Sequence, residues 1–167
     1  MPATEAELLR LLDDLNIKTN TFRHAPLFTV EDSQNLRGEI PGGHCKSLFL
    51  KDKKDNYLLI VMSEERRLDM KALFKSGKLE VGRLSFASAE RMINMLGISP
   101  GSVTPFSLIN VTHPELTVVL DEGMLEHEFL NYHPLHNEAT TTIHRDDLIK
   151  FIKHFGFNPI TINFEQL

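Results

Sequence analysis

The sequence is poor in cysteine and contains no long apolar run. Its single cysteine, Cys45, cannot form an internal disulfide, which is typical of a protein in a reducing compartment. No apolar run approaches the ~20 residues that a membrane-spanning helix needs. The first ten residues, MPATEAELLR, are acidic and lack the basic region of a secretory signal. We therefore predict a cytoplasmic protein with no membrane partner.

The common catalytic signatures are also missing. The sequence contains no G-x-G-x-x-G, no P-loop, no G-x-S-x-G and no H-E-x-x-H. These absences argue against the usual dinucleotide sites, nucleotide triphosphate sites, serine-hydrolase sites and zinc-protease sites. Any chemistry must be sought in less regular segments.

Positive charge is scarce overall but concentrated in one segment. The 18 Lys and Arg residues against 23 Asp and Glu give a net charge of −5, which argues against a typical nucleic-acid-binding protein. The segment Lys46–Arg83 differs, since its ten basic and six acidic residues make it +4 and leave the remainder at −9. A locally basic face on an acidic body can still bind a polyanion. The alternative is a solvated face of lysines.

The composition and the local patterns predict a packed chain of mixed α/β (α+β) class. Of the 167 residues, 41% are hydrophobic and 25% charged, which suits one domain spanning residues 1–167. Capping residues and apolar periodicity predict helices over 4–15, 69–74, 89–96 and 145–155. Alternating or apolar runs predict strands over 17–22, 47–51, 57–62, 116–120 and 160–164. The irregular order argues against a doubly wound sheet.

A glycine-rich segment, Pro41–Lys46, leads into the strand predicted from Ser47. Its two glycines would let the backbone approach a ligand closely. Lys46 lies where the loop becomes an apolar strand, so its charge needs an anion or a carbonyl, or else its side chain reaches to the surface. His44 and Cys45 suggest a thiol nucleophile. Neighbours along a strand point to opposite faces, however, and we prefer a buried, unreactive thiol.

Two further segments concentrate small, polar and rigid residues. Gly97–Phe106 holds two prolines and two glycines, so its backbone N–H groups suit an oxyanion or a ligand's polar head, although a plain connector would look similar. Asn131–Thr142 contains His133 and His136, which together with His127 and His113 suggest a metal. The spacing completes no recognisable ligand set, and we predict no metal. The threonines of this segment read as a cap for the helix at Arg145.

Five motifs, taken in order, resemble a known family. They are His24–Glu31, Gly43–Asp52, Arg83–Ser88, Pro100–Phe106 and His133–Thr141. Over nearly the whole chain the sequence is similar to the free-standing editing-domain homologues of bacterial prolyl-tRNA synthetase, within the YbaK-like superfamily. The most similar branch is the alanyl-tRNA(Pro) deacylases. The resemblance implies a single domain with a bent, barrel-like mixed sheet flanked by helices.

The resemblance also implies an activity and its residues. Members hydrolyse the ester between a wrong amino acid and the terminal adenosine of tRNA, without a metal or another cofactor. Lys46 matches the key lysine of the family, Gly101–Pro105 its G-x-x-x-P loop, and His133 and Asn137 the polar pair of its H-P-L-x-N segment. The implied catalytic residues are Lys46, Gly101 and His133. The implied substrate-binding residues are Phe28, Thr29, Ser102, Val103, Thr104, Pro105 and Asn137.

The expected partner is mischarged tRNA, held through its acceptor stem and terminal adenosine, with prolyl-tRNA synthetase as a candidate second partner. We expect Lys51, Lys53 and Arg83 of the basic segment to contact the tRNA. Because an aminoacyl ester is already activated, the enzyme needs mainly to place a water and to stabilise an oxyanion. No side chain is an obvious general base, which favours help from the free ribose hydroxyl, with His133 as an anchor.

Three alternatives stay open from the sequence. The first is an editing enzyme of the same superfamily for another substrate, such as Cys-tRNA(Pro). The second is a module that binds tRNA or a synthetase without hydrolysis. The third is a thiol hydrolase that uses Cys45.

Overall fold

The computed structural model describes residues 1–26, 40–112 and 115–167. Phe28 and Thr29, predicted to bind substrate, lie outside these residues, as does His113, named as a candidate metal ligand. Element numbers below refer to the described residues. None of their helices combines the length and apolar character that crossing a membrane requires.

The helices begin at the side chains that the sequence suggested. Helix α1, Glu5–Asp14, has the predicted capping box, in which the Thr4 hydroxyl accepts from the N–H of Glu7 and the Glu7 carboxylate accepts from the N–H of Thr4. Helix α2, Met70–Lys75, begins at Asp69, whose carboxylate accepts from the N–H of Ala72 at 2.9 Å.

The third predicted helix has a different internal geometry. Ser88 caps it and Gly97, at φ +67°, follows its end, as predicted. Only Ala89–Arg91, α3, is an α-helix, however, and Met92–Leu96 is a π-helix. A spacing of apolar residues does not separate the two hydrogen-bond patterns over so short a segment. The π-helix leads directly into the loop around Gly101.

The two strands of the predicted hairpin are longer than the sequence indicated. Strand β1 is Thr19–Arg23, β2 is Gly43–Lys51 and β3 is Tyr57–Ser63. The β2–β3 turn is held by Asp52, whose carboxylate accepts from the N–H groups of Lys54, Asn56 and Gly82. Burial acts to raise the pKa of Asp52, but these donors and the Asn56 amide outweigh it and lower the pKa to about 2.

Two strands in the polar segment were not predicted. After β4, Ser85–Phe86, and β5, Leu116–Asp121, the chain forms β6, Phe129–Tyr132, and β7, Ala139–His144. The expectation that the threonines cap the last helix is wrong. Thr140, Thr141 and Thr142 lie within β7, and His144 caps helix α4, Arg145–His154, by accepting from the N–H of Asp146. Threonine suits a strand because its branched side chain packs well on a pleated surface.

All eight strands form one mixed sheet. The order along the sheet is β1-β7-β6-β2-β3-β5-β8, where β8 is Ile160–Ile162, and β4 pairs with β2. The β2–β6, β3–β5 and β5–β8 pairs are parallel and the others antiparallel. This confirms the mixed α/β class and the flanking helices. Within the part of the chain that the structure describes, the sheet is open at β1 and β8 and does not close into a barrel.

Core residues lie on both faces of the central strands. Phe49, Leu59 and Val118 belong to the larger cluster, which includes α1, α4 and the loop residues Ile98 and Phe106. Alternate residues of the same strands, such as Leu50, Ile60 and Val119, form a second cluster with Leu73 of α2. Because both faces are covered, these strands are apolar throughout rather than alternating.

Candidate functional site

The candidate site lies where strands β2 and β6 separate. Their parallel pairing covers only Gly43 opposite Leu130 and His44 opposite Asn131. Lys46, within β2, and His133, directly after β6, each follow two residues later, beyond the last pair of this ladder. The point where the pairing of two neighbouring strands ends is a natural place for a ligand to reach the backbone, as at the switch points of other open sheets.

The sequence suggested that Lys46 lies at the beginning of a strand. In the structure it lies three residues inside β2. It is paired across the hairpin with Met62, which belongs to the second core cluster. Burial lowers the pKa of the Lys46 ammonium, and the charge of Arg67 lowers it further, whereas the carboxylate of Glu64 raises it. The ammonium is therefore a partly desolvated cation, and an anionic or carbonyl ligand would relieve its desolvation.

The space beside Gly42 and Gly43 is occupied by other residues of the protein and is not open to a ligand. A Cβ on Gly42, at φ +103°, would lie 2.9 Å from the carbonyl oxygen of Phe129. A Cβ on Gly43 would lie 2.8 Å from the ring of His127. The expectation of a close ligand approach at these two glycines is therefore corrected, because β6 and the turn before it fill the space.

Cys45 faces the opposite side of the sheet from Lys46. It packs against the larger core cluster, with Sγ 3.6 Å from the carbonyl oxygen of Gly43. Burial raises the pKa of the Cys45 thiol to about 12. At neutral pH the thiolate fraction is negligible, so the structure favours the unreactive thiol over the nucleophile.

The Gly97–Phe106 segment is held by its own hydrogen bonds. Pro100–Ser102 and Pro105–Asn110 form two 3-10 turns, and Ser102 donates its N–H to the carbonyl oxygen of Ser99 at 3.0 Å. Thr104 is buried, where its hydroxyl accepts from the N–H of Phe106 and its carbonyl oxygen accepts from the Ser107 hydroxyl. The polar groups of Thr104 thus hold the loop in shape.

Gly101 is the open position of this loop. A Cβ there would meet only the amide nitrogen of Asn137, at 3.6 Å. Gly101 and Asn137, which the sequence placed in the same site, therefore lie side by side. Among the residues that the structure describes, the N–H of exposed Gly101 has no hydrogen-bond acceptor. An exposed backbone N–H of this kind resembles a donor of an oxyanion site.

The remaining members of the G-x-x-x-P loop are turned inward. Ser102 is 4% exposed, and Pro105 is buried with Phe106 and Leu108. Val103 is half-buried and packs against the larger core cluster. These three residues therefore shape the loop, and its contact with a ligand is left to backbone groups and to Gly101.

His133 is held in one tautomer. Its Nδ1 lies 3.1 Å from the carbonyl oxygen of Ala139, and because a carbonyl only accepts, Nδ1 carries the proton. Burial lowers the pKa of His133, and the nearby His24 and His136 lower it further. At neutral pH the imidazole is uncharged, so its Nε2 has a lone pair that accepts a hydrogen bond.

The histidines named as candidate metal ligands have separate contacts. His136 Nε2 lies 3.0 Å from a carboxylate oxygen of Glu5, while His127 packs on Gly43. The His133 ring is 6.5 Å from that of His24, between centroids. Within residues 1–26, 40–112 and 115–167, no group of three His, Cys, Asp or Glu side chains is arranged to hold a metal ion.

The three residues predicted to contact tRNA lie at the other end of β2. Lys51 forms an ion pair with Asp55 at 3.6 Å. Lys53 and Arg83 line a shallow hollow of about 550 Å³ beside the β2–β3 turn. Lys53 and Arg83 therefore line the same hollow, whereas Lys51 is paired with an acidic residue four positions along the chain.

Glu64 is a site residue that the sequence analysis missed. It directly follows β3, and its N–H donates to the carbonyl oxygen of His44 at 2.9 Å. Since Lys46 is opposite Met62, Glu64 shares a face with Lys46. Its carboxylate raises the pKa of both Lys46 and His133, so both lie within its electrostatic reach. The alternation of faces along the predicted hairpin was the signal that could have found it.

Comparison with known proteins identifies the family. The aminoacyl-tRNA editing domain matches residues 24–151, which include Lys46, Gly101, His133 and Asn137. This chain belongs to the aminoacyl-tRNA editing domain family. The YbaK-like, prolyl-tRNA-associated resemblance drawn from the sequence motifs is thereby confirmed.

Named relatives of this editing domain have similar lengths. The chain is 36% identical over 163 residues to the prolyl-tRNA synthetase associated domain-containing protein 1 of Mus musculus, with 96% of each chain covered. It is 32% identical over 157 residues to the prolyl-tRNA editing protein ProX of Acetoanaerobium sticklandii, covering 93% of this chain and 94% of ProX.

Solved structures confirm the fold of the editing domain. The structure of a candidate trans-editing enzyme for prolyl-tRNA synthetase matches with a TM-score of 0.68 at 19% identity, covering 96% of this chain and 98% of that one. The hypothetical protein APE2540 matches with a TM-score of 0.73 at 15% identity, over 96% and 98% of the two chains.

Proposed function

We propose that this editing domain is an aminoacyl-tRNA deacylase that hydrolyses the ester of mischarged Ala-tRNA(Pro). Two observations carry the proposal, namely that a desolvated lysine and a neutral histidine share one carboxylate neighbour and that an exposed glycine lies beside an asparagine of the same family motifs. Lys46 and His133 lie within reach of one carboxylate, and Gly101 lies beside Asn137. The family and the ProX relative, whose name is prolyl-tRNA editing protein, support an editing function on tRNA(Pro), and the choice of alanine rests on the size argument below.

The proposed chemistry uses the activation already present in the ester. Water attacks the ester carbonyl, and negative charge develops on the carbonyl oxygen. The N–H of exposed Gly101 stabilises that oxyanion, because a donor fixed in the fold needs no rearrangement in the transition state. The ammonium of Lys46 binds a phosphate or the carbonyl side of the substrate.

Within this proposal, His133 is an anchor. The neutral ring accepts a hydrogen bond at Nε2, from the substrate amine or from a ribose hydroxyl, while its Nδ1–H is committed to Ala139. The free ribose hydroxyl of the terminal adenosine orients the attacking water. The bond between the carbonyl carbon and the ribose oxygen then breaks, and the ribose oxygen leaves with a proton.

Alanine is the expected amino acid because a synthetase site built for proline rejects it poorly. Loss of a few apolar contacts changes binding by only ~1–3 kcal/mol, so a smaller amino acid is not strongly excluded. A second, tighter site accepts alanine and excludes proline by size. Prolyl-tRNA synthetase is the synthetase with which this domain would work.

The test is a deacylation panel with Ala-, Cys-, Ser- and Pro-tRNA(Pro), with Ala-tRNA(Ala) as the off-target control. The expected result is preferential hydrolysis of Ala-tRNA(Pro), with Pro-tRNA(Pro) left intact. Preferential hydrolysis of Cys-tRNA(Pro) would change the amino acid and keep the enzyme class. Tight binding of tRNA without hydrolysis of any ester would make the domain a binding module.

A further inference from the structure

A basic groove lies beside helix α2. It has a volume of about 780 Å³, within the range of ~300–1,000 Å³ that is usual for ligand sites. Four cationic side chains line it, from Arg67, Lys71, Lys75 and Arg83, against one carboxylate, Asp69. On a chain with a net charge of −5, this is a strongly positive local surface.

The charges of the basic groove are not neutralised by the protein that the structure describes. None of the four cations forms an ion pair with a described residue, and the Asp69 carboxylate is engaged as the cap of α2. Lys71 and Lys75 are four residues apart on the same helix, where like charges destabilise it. An arrangement that weakens its own helix is expected where a polyanion binds.

An aromatic side chain joins the basic groove to the hollow at the β2–β3 turn. Half-buried Phe74 lines both, as does Arg83, and the hollow also contains Lys53 and Lys54. Cationic side chains next to an aromatic ring are the usual surface for single-stranded nucleic acid, since every base has a face that stacks.

The other end of the basic groove adjoins the candidate site. Arg67 follows Glu64 by three residues, and its charge lowers the pKa of Lys46. Arg67, which lies within electrostatic reach of Lys46, also lines the basic groove with the cations of α2 and Arg83 and so links the two regions. This arrangement suits a strand whose end lies at Lys46.

We propose that the basic groove binds the single-stranded 3′ end of an RNA acceptor, with phosphates on Lys71 and Lys75 and a base stacked on Phe74. The identity of the RNA rests on the proposed function, whereas the site itself rests on the charges and the aromatic ring. The sequence prediction named Lys51, Lys53 and Arg83 of the basic segment, and the groove adds Lys71, Lys75 and Phe74 as contacts for the single strand.

The test measures binding of uncharged RNA by fluorescence anisotropy. The probe is a labelled hairpin that mimics an acceptor stem with its single-stranded 3′ end, and a blunt hairpin serves as the second probe. Lys71→Gln/Lys75→Gln should weaken binding of the first probe by about fivefold or more at moderate salt. The slope of log affinity against log salt should become shallower by about 1.4, since each contact to a single strand contributes ~0.7.

The matched control is Lys18→Gln/Lys153→Gln, which removes two exposed charges outside the basic groove. It should leave both affinity and slope unchanged. Phe74→Leu should weaken binding by about fivefold or more without changing the slope, because it removes the stacking face only. Phe129→Leu, at a 46% exposed aromatic residue elsewhere, is its control and should bind as the wild type does.

Other outcomes would overturn the proposal. These are equal losses in the groove and control pairs, an unchanged affinity in the groove pair, equal binding of the blunt hairpin, or equally tight binding of polyglutamate. Because no ester is present, hairpin binding can succeed where deacylation fails, which would reject the proposed function alone. Deacylation with no role for the basic groove would reject this site alone.

Discussion

Two glycine-containing segments looked alike in the sequence and differ in the fold. At Gly42 and Gly43 the space of the missing Cβ is taken by the Phe129 carbonyl and the His127 ring. At Gly101 that space is open apart from an ordinary contact with Asn137. A glycine near a site therefore indicates a ligand only when nothing in the protein occupies the same space.

The comparison also divides the chemistry between the two segments. In Pro41–Lys46 the glycines are structural and the half-buried Cys45 has a thiol pKa of about 12, so the proposed function assigns the catalytic role to Lys46. In Pro100–Pro105 the side chains of Ser102, Thr104 and Pro105 are buried, so the proposed function assigns the ligand contact to the backbone at Gly101. The following variants separate these roles, beginning with the largest expected effect.

Replacing the lysine should break the chemistry of the first segment. Lys46→Ala should slow single-turnover deacylation of Ala-tRNA(Pro) by about a hundred- to a thousandfold, as for the loss of ~3–4 kcal/mol of charge-assisted contact. Lys46→Arg should restore the rate only in part, since a planar guanidinium does not replace a compact ammonium. Circular dichroism checks folding. A folded Lys46→Ala within about threefold of the wild type would remove this lysine from the site.

Alanine at Gly101 should lower the deacylation rate, whereas alanine at Gly42 should lower the stability. Gly101→Ala should lower the rate by about tenfold or more while Tm stays unchanged, because its Cβ fits the fold but narrows the space beside Asn137.

Gly42→Ala is the matched variant and should do the reverse. Its positive φ and the 2.9 Å approach to Phe129 should lower the free energy of unfolding by about 1–3 kcal/mol, or Tm by roughly 2–12 °C. Once folded, it should keep a near-normal rate. Equal losses of unfolding free energy in Gly42→Ala and Gly101→Ala would contradict the claim that only the first glycine is filled by neighbouring residues.

Acid should weaken catalysis through His133. Burial lowers the pKa of this imidazole, so the neutral, accepting form predominates above a pKa that lies below ~6.5. As pH falls through that value, the rate should drop by about tenfold per pH unit, and the limb should vanish in His133→Asn. A rate that rises on acidification would mean that the imidazolium is the active form.

The smallest effect is expected at the buried thiol. Cys45→Ala should keep the rate within about threefold of the wild type, because a thiol with a pKa of about 12 supplies no nucleophile at neutral pH. Iodoacetamide at neutral pH should also leave most of the activity. A loss of about a hundredfold in a folded Cys45→Ala would restore the thiol mechanism.

Local signals in the sequence predicted most of the fold. The Thr4–Glu7 capping box and the Asp69 cap form as expected, since they depend only on residues within one turn. Strands β6 and β7 were missed because Thr140–Thr142 are polar but buried, and their hydroxyls are satisfied by distant partners. Thr141, for example, shares a hydrogen bond with Thr21 at 2.8 Å. No local pattern reveals such a partner.

The candidate site also contains residues that the sequence identified and residues that only the fold revealed. Family motifs named Lys46, Gly101, His133 and Asn137, and the fold brings Gly101 to Asn137 and places Lys46 and His133 around Glu64. Glu64 and the basic groove beside α2 needed three dimensions, because they arise from neighbouring strands and from loops that pack side by side.

The central claim is that this editing domain breaks an ester and does more than bind tRNA. The most direct measurement is single-turnover incubation of Ala-tRNA(Pro) and Pro-tRNA(Pro) with excess protein, with tRNA binding recorded in the same samples. The account predicts that the alanyl ester disappears well above the rate without protein, while the prolyl ester survives. An alanyl ester that stays intact on protein-bound tRNA would contradict it.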